Sequence, residues 1–249
     1  MKLAQSVDSP PARYLWFLTL CYVVILLLSN WFDARLVQIG AVITDAGTLL
    51  FPFSFLIADM MTEVYGFKTT RRAIWCGFLF NALFLLFGLV VTSLPSPSFA
   101  PLNHSFDLIL KLNTRIVLAS FVSYFCSEPV NSILLAKLKI QLQGRYIGFR
   151  FVLSTVIAAA LDSVIFSFIA FYGLFSIQHL WLFILTMWLI KVAVECLGLP
   201  VSLSLVKKMK QLEKLDIYDY DTRFNLFKLE TIYQPNHNAY SQNFKKESE

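Results

Sequence analysis

Long apolar runs alternate along the chain with short polar stretches, and the runs are apolar around their whole circumference instead of on one face. Six of them are predicted to cross a bilayer, at about 14–28, 48–65, 73–94, 116–138, 151–173 and 180–205, most of them near the roughly 20 residues that a helix needs to span the hydrocarbon core. The first run resembles the core of a signal peptide. The residues after it, Ser29-Asn30-Trp31-Phe32-Asp33, do not form a small-residue cleavage site, so a retained span is expected. Pro52 falls in the first turn of the second span, where a missing donor matters least. Pro95, Pro97 and Pro101 mark the third loop, which cannot be helical throughout. The domain order is then a leader over 1–13, a transmembrane domain over 14–205 and a tail over 206–249, the tail expected to be a solvated, partly disordered extension.

Composition agrees with the pattern. Of 249 residues 57% are hydrophobic and 15% charged, with 24 phenylalanines, too apolar for a soluble domain of this length. The net charge of +5 does not point to nucleic acid, because the cations sit in short loops and in the tail. Lys2 and Arg13, then Lys68, Arg71 and Arg72, then Lys137, Lys139, Arg145 and Arg150, and finally Lys207, Lys208 and Lys210 all fall on one side if there are six spans. Arg35, Lys111 and Arg115 are left on the other. The expected fold is therefore an all-α integral membrane protein with six transmembrane helices and both termini cytoplasmic. Cys21, Cys76, Cys126 and Cys196 lie within apolar runs, without a CxxC pair, and read as packed or lipid-facing thiols. No internal repeat is evident, so an inverted-repeat transporter is not supported.

Against this background the charges inside the spans stand out. Asp59 and Glu63 are spaced i and i+4, on one helical face and about 6 Å apart along the axis. Glu128, immediately followed by Pro129, lies in the fourth span, Asp162 at the middle of the fifth, and Lys191 and Glu195 in the sixth. Five acids face one base. Either some are protonated, or Lys191 pairs with one of them, or the cavity receives a cation, a proton or a ligand rich in hydrogen-bond donors, and a ligand site between the middle of the membrane and its inner side is the economical explanation. Simpler structural roles compete: Glu63 as a membrane-end charge reaching the headgroups, and Lys191 with Glu195 as a structural ion pair between helices or within one.

Two stretches, LLSNWFDARLVQIG and GTLLFPFSFLIADMMTEVYGFKTTRRAIWCGFLFN, resemble the signature of the queuosine precursor transporter family, six-helix inner-membrane proteins. The resemblance continues through ASFVSYFCSEPVNSILLAKLK, RFVLSTVIAAALDSVIFSFIAFYG and IKVAVECLGLP, covering most of 29–200. It implies a multi-pass protein of the bacterial inner membrane that takes up 7-deazaguanine bases for tRNA modification. A guanine-like edge offers adjacent N–H donors that a carboxylate accepts, and its flat ring stacks on aromatics. On this reading Asp59, Glu63 and Asp162 are substrate-binding or proton-coupling groups, Glu128 and Asn131 secondary contacts, Asn30 and Asn81 polar cavity wall, and Lys191 with Glu195 an ion pair that sets the site. The partners implied are the deazaguanine substrate and the lipid bilayer, with no direct nucleic-acid contact; a homo-oligomer is compatible.

Three function classes follow. The leading one is a secondary carrier, proton-coupled or not, that needs no ATPase module. The second is the substrate-binding subunit of an ATPase-driven vitamin-type importer; the chain has no Walker A pattern, so a partner would have to hydrolyse ATP. The third is an intramembrane enzyme, weakened by the absence of HExxH, G-x-S-x-G or Cys-His arrangements. No cofactor and no metal site is expected. His104, His179 and His237 all fall outside the spans or at an edge.

Overall fold

A computed structural model describes residues 12–40, 42–228 and 232–240. Six helices are long and apolar enough to cross a membrane, in keeping with an all-helical membrane protein. They are α1 (Leu15–Phe32), α2 (Pro52–Tyr65, entered through a 3-10 turn at Gly47–Leu49), α3 (Phe67–Ser93), α4 (Asn103–Gln141), α5 (Ile147–Phe171) and α6 (Ile177–Glu213). The loop after α1 is not wholly irregular: β1 (Leu36–Ile39) pairs antiparallel with β2 (Val42–Asp45).

The helices outrun the apolar sequences that predict them. At 1.5 Å per residue the 37-residue α6 is about 55 Å long, well beyond a hydrocarbon core of about 30 Å, and its last turns carry Lys207, Lys208 and Lys210. Both α4 and α6 continue through a proline, Pro129 and Pro200, which removes an i to i−4 bond and frees a carbonyl in each.

The central element is α2. Among its residues only Phe53 and Ile57 escape full burial, while α1, α3 and α6 show many apolar side chains on their outer faces, among them Trp16, Leu79, Phe87 and Leu197. Phe55, Met61, Val64 and Tyr65 of α2 pack with Tyr22 and Leu26 of α1, Ala73 and Ile74 of α3, and Tyr124 and Leu135 of α4. A helix enclosed by others can carry polar groups only if they meet partners or a ligand, and α2 carries Ser54, Asp59, Thr62 and Glu63, all buried.

The tail corrects the expectation of a solvated extension. Asp219 Oδ2 accepts from the backbone N–H of Phe67 (2.9 Å), and Tyr233 Oη accepts from that of Lys68 (2.8 Å) while donating to Asp219 Oδ1 (2.6 Å). Two of the donors that the start of a helix leaves open are thus met by residues more than 150 positions away, with a carboxylate at the positive end of α3. Burial, then the charge of Asp219, pushes the Tyr233 phenol above its ordinary range and keeps it a donor. Glu213 joins the other terminus: its oxygens accept from Tyr14 N (2.8 Å), Arg13 N (3.1 Å) and Tyr65 Oη (2.7 Å). The predicted leader and the end of the tail fall mostly outside the described residues.

One glycine lets this strap lie flat. Gly66 ends α2 and starts α3 at φ +79°, and a Cβ there would meet Tyr233 Oη at 2.4 Å and Ile217 Cγ2 at 2.8 Å. Gly66→Ala is expected to destabilise the protein by about 1–3 kcal/mol and to expose the tail to protease. Gly40→Ala, at φ +62° with nothing within 4 Å, carries only the backbone strain of about 1–2 kcal/mol. Limited proteolysis and melting of the two variants separate the clash from the strain; equal behaviour would show that the strap contact contributes nothing.

Candidate functional site

Polar groups run through the bundle at three levels. The outermost begins where α1 ends. Asp45, at the end of β2, caps the turn into α2, its oxygens accepting from Thr48 N (2.6 Å) and Thr48 Oγ1 (2.8 Å). Asp33, beyond the last turn of α1, accepts from Ser120 Oγ of α4 (3.0 Å). Gly47 permits the approach, since a Cβ would fall 1.7 Å from Asp33 Oδ1. Next to these, Lys191 of α6 forms an ion pair with Asp162 Oδ2 of α5. Ser127 Oγ donates to the other oxygen of Asp162 (3.2 Å), and the Lys191 ammonium lies 4.9 Å from the centre of the Phe51 ring. A tight cavity of about 10 Å³ touches Asp33, Thr48, Phe51, Ser120, Asp162 and Lys191, about the room that one water needs.

The middle level is unlike the first. Asn131 Nδ2 of α4 donates to Asp59 Oδ1 (2.5 Å), yet Asp59 Oδ2, Asn131 Oδ1, Thr155 Oγ1 and both oxygens of Glu128 and of Glu195 have no hydrogen-bond partner. All five residues are buried. The carboxyl groups of Asp59, Glu128 and Glu195 lie within electrostatic reach of one another, and among the described residues no set of His, Cys, Asp or Glu is arranged to hold a metal ion. A buried acceptor left open costs about 1–3 kcal/mol, more if charged. The hydroxyls of Tyr22 and Ser54 stand beside Glu128 and that of Thr155 beside Glu195, and the acceptors still outnumber them, so the site has room for further donors.

The innermost level is saturated. Arg150 of α5 grips Glu63 with Nη1 on Oε2 (2.6 Å) and Nη2 on Oε1 (3.2 Å), the two-pronged geometry suited to a carboxylate. Lys210 Nζ of α6 stands 2.6 Å from Oε1 and Lys139 Nζ of α4 at 3.7 Å. Lys139 also reaches Asp216 Oδ1 (2.7 Å), Glu63 O (2.6 Å) and Ile217 O (2.7 Å), and Lys210 reaches Asp216 (2.8 Å). Four helices and the strap are fastened to one another here.

This distribution rearranges the residues singled out from sequence. Asp59, Glu128, Asn131 and Glu195 come together, whereas Glu63 has its oxygens taken by cations and stands apart as a clamp. Lys191 pairs across to Asp162 and not along its own helix to Glu195, because burial among other helices offers a nearer acid than the i+4 neighbour. Asn30 and Asn81 bond to each other, and Asn81 Nδ2 also donates to Gly77 O (2.8 Å); they tie α1 to α3 and do not border the cavity. Lys139 and Arg150, read from sequence as cations of a loop, are almost wholly buried. Asp33 and Asp45 went unremarked as site residues, hidden at the ends of apolar runs where an acid usually marks a loop.

Residues 45–205 match the family described as "Putative vitamin uptake transporter". The chain is 25% identical over 202 residues to a "Probable queuosine precursor transporter" of Bacillus subtilis, an alignment spanning 79% of this chain and 83% of that protein. It is 29% identical over 190 residues to a protein of the same name from Haemophilus influenzae, covering 69% and 77% of the two chains. It is also 29% identical over 174 residues to the "Queuosine precursor transporter" of Escherichia coli, covering 68% and 74%. No solved structure matches the chain. The matched stretch holds α2, most of the bundle and every residue of the middle level, so the chain belongs to the vitamin uptake transporter family, together with the queuosine precursor transporters.

Proposed function

We propose that the chain imports a 7-deazaguanine precursor of queuosine across the bacterial inner membrane, as a carrier that needs no ATPase partner. The observation that carries this reading is the group of unpartnered buried acceptors on Asp59, Glu128 and Glu195. A guanine-type edge presents its ring and exocyclic N–H groups side by side, and an ionised carboxylate accepts two such donors at once. An aminomethyl substituent adds a cation for a second acid. The names of the relatives supply the substrate class, and the geometry supplies acceptors of the right kind.

In this reading the base reaches the middle level from the side of Asp33 and Asp45, passing the Asp162–Lys191 pair, and leaves past the Glu63 clamp. The cavity at the outer level is far too small for a bicyclic base, so passage requires the helices around α2 to part. Three neighbouring acids without a resident cation also suit proton coupling, since one can take up a proton together with the substrate while another stays ionised to accept its donors. The cations of Lys68, Arg72 and Lys207 support a cytoplasmic position for the strap, and with it for both termini.

Purified protein reconstituted alone in liposomes tests the reading. It is expected to accumulate 7-aminomethyl-7-deazaguanine when the outside is acidified. It should also restore queuosine to tRNA in bacteria that can neither make nor import the precursors. Restoration in cells without uptake by liposomes would assign the energy to a separate ATPase, and no restoration with any precursor would mean a different substrate.

A further inference from the structure

The strap and the start of α3 enclose a basic pocket that the transport path does not use. Lys68 and Arg71 of α3 form one wall and Arg223 and Lys228 of the tail the other, with Asp221 the one acid among the described residues that line it, around a cavity of about 210 Å³. The wall cations are held in place. Lys68 Nζ donates to Ile232 O (3.1 Å) and lies 4.8 Å from the Tyr233 ring centre. Arg71, buried, donates to Asn225 O and stacks 5.6 Å from the Phe67 ring centre. Arg223 and Lys228 are exposed at the rim.

The surroundings are those of a membrane surface. Trp75, one turn beyond Arg71, donates its indole N–H to Leu226 O (2.8 Å) and packs 6.0 Å from Phe227. Phe227 is 73% exposed and Ile232 76%. Two turns along α3, about 12 Å from Arg71, Leu79 and Phe80 open the exposed apolar face of that helix. Cations at headgroup height beside apolar side chains at acyl height recognise an anionic lipid. We propose that this pocket binds the phosphate of an anionic phospholipid in the leaflet that the tail faces, and that the bound lipid fastens the strap over the junction of α2 and α3. A free phosphate shares the headgroup chemistry but would leave Phe227 and Ile232 in water.

The test uses the full-length protein in neutral detergent, with three probes: phosphatidylglycerol, phosphatidylcholine and inorganic phosphate. Melting temperature and lipid retention in native mass spectrometry are the readouts. Phosphatidylglycerol is expected to raise the melting temperature where the other two do not. Arg223→Gln with Lys228→Gln should raise the lipid concentration for half the effect on the order of tenfold, whereas Lys207→Gln with Lys208→Gln, an equal loss of exposed charge near the end of α6, should leave it unchanged. The shift is read against each variant's own lipid-free value, so a lower starting stability does not obscure it. The proposal is overturned if both double variants lose the effect equally, if the pocket variant keeps it, or if inorganic phosphate reproduces it.

Discussion

Glu195→Gln is expected to end transport while leaving the protein at least as stable as before. Neither oxygen of Glu195 accepts a well-formed hydrogen bond, although the Thr155 hydroxyl stands beside it, and the residue is wholly buried, so the carboxyl group contributes desolvation with little to compensate it. An uncharged isostere removes that burden. Glu128→Gln should behave alike, for the same reason. Asp59→Asn differs, because Asn131 Nδ2 donates to Asp59 Oδ1 and an amide placed there can turn a donor towards a donor; a loss of about 1 kcal/mol is expected.

The functional effect runs the other way. Each charge-assisted bond to substrate is worth about 1.5–3 kcal/mol, so losing one lowers affinity roughly 10- to 100-fold, at about 1.4 kcal/mol per decade. A carboxyl that also carries a proton adds a larger loss of rate. Initial uptake rates and melting curves of the three reconstituted variants check both halves. Stable variants with native uptake would place the substrate elsewhere. A Glu195→Gln variant several kcal/mol less stable would mean that Glu195 is a structural group.

Such a dissociation between stability and function explains why the site could be read only partly from the sequence. Intramembrane acids are conspicuous because the bilayer penalises them, and Asp59, Glu128, Asp162 and Glu195 were visible for that reason alone. Their roles depend on partners from other helices. Asp59 and Glu63 share a face of α2, yet one turn separates an acid left open from an acid gripped by Arg150, 87 positions away. Local spacing cannot encode that. Nor could it choose a partner for Lys191 among the five acids: the i+4 neighbour Glu195 was the nearest in sequence, and packing brings Asp162 nearer in space. The tail was hardest: its Asp219 and Tyr233 look like ordinary polar residues, and only the open N–H groups at the start of α3 give them their task. The six apolar helices, in contrast, follow from composition and run length, which need no knowledge of neighbours.

The second large effect belongs to stability. Glu63→Gln keeps the shape of the side chain and removes the charge on which Arg150, Lys210 and Lys139 converge. Arg150 is fully buried and Lys139 nearly so; Asp216, the remaining acid, reaches Lys139 and Lys210 but has no bond to Arg150. A buried cation deprived of its partner costs about 3–5 kcal/mol, a large fraction of what holds a protein folded. The variant is expected to melt far below the native protein and to lose the strap, because the same cations bind Asp216 and Ile217. Adding Arg150→Met to Glu63→Gln removes the stranded guanidinium and should return part of the loss. The return is incomplete, since Arg150 also donates to Arg145 O (3.0 Å) and Gly144 O (3.2 Å). A double-mutant cycle on melting data should therefore show a coupling above about 1 kcal/mol between the two positions. Additive losses would mean that the clamp is a set of separate contacts, and that Glu63 is free to serve the substrate after all. A strong coupling would set Glu63 at the inner end of the path as the group that must be released before the helices can part.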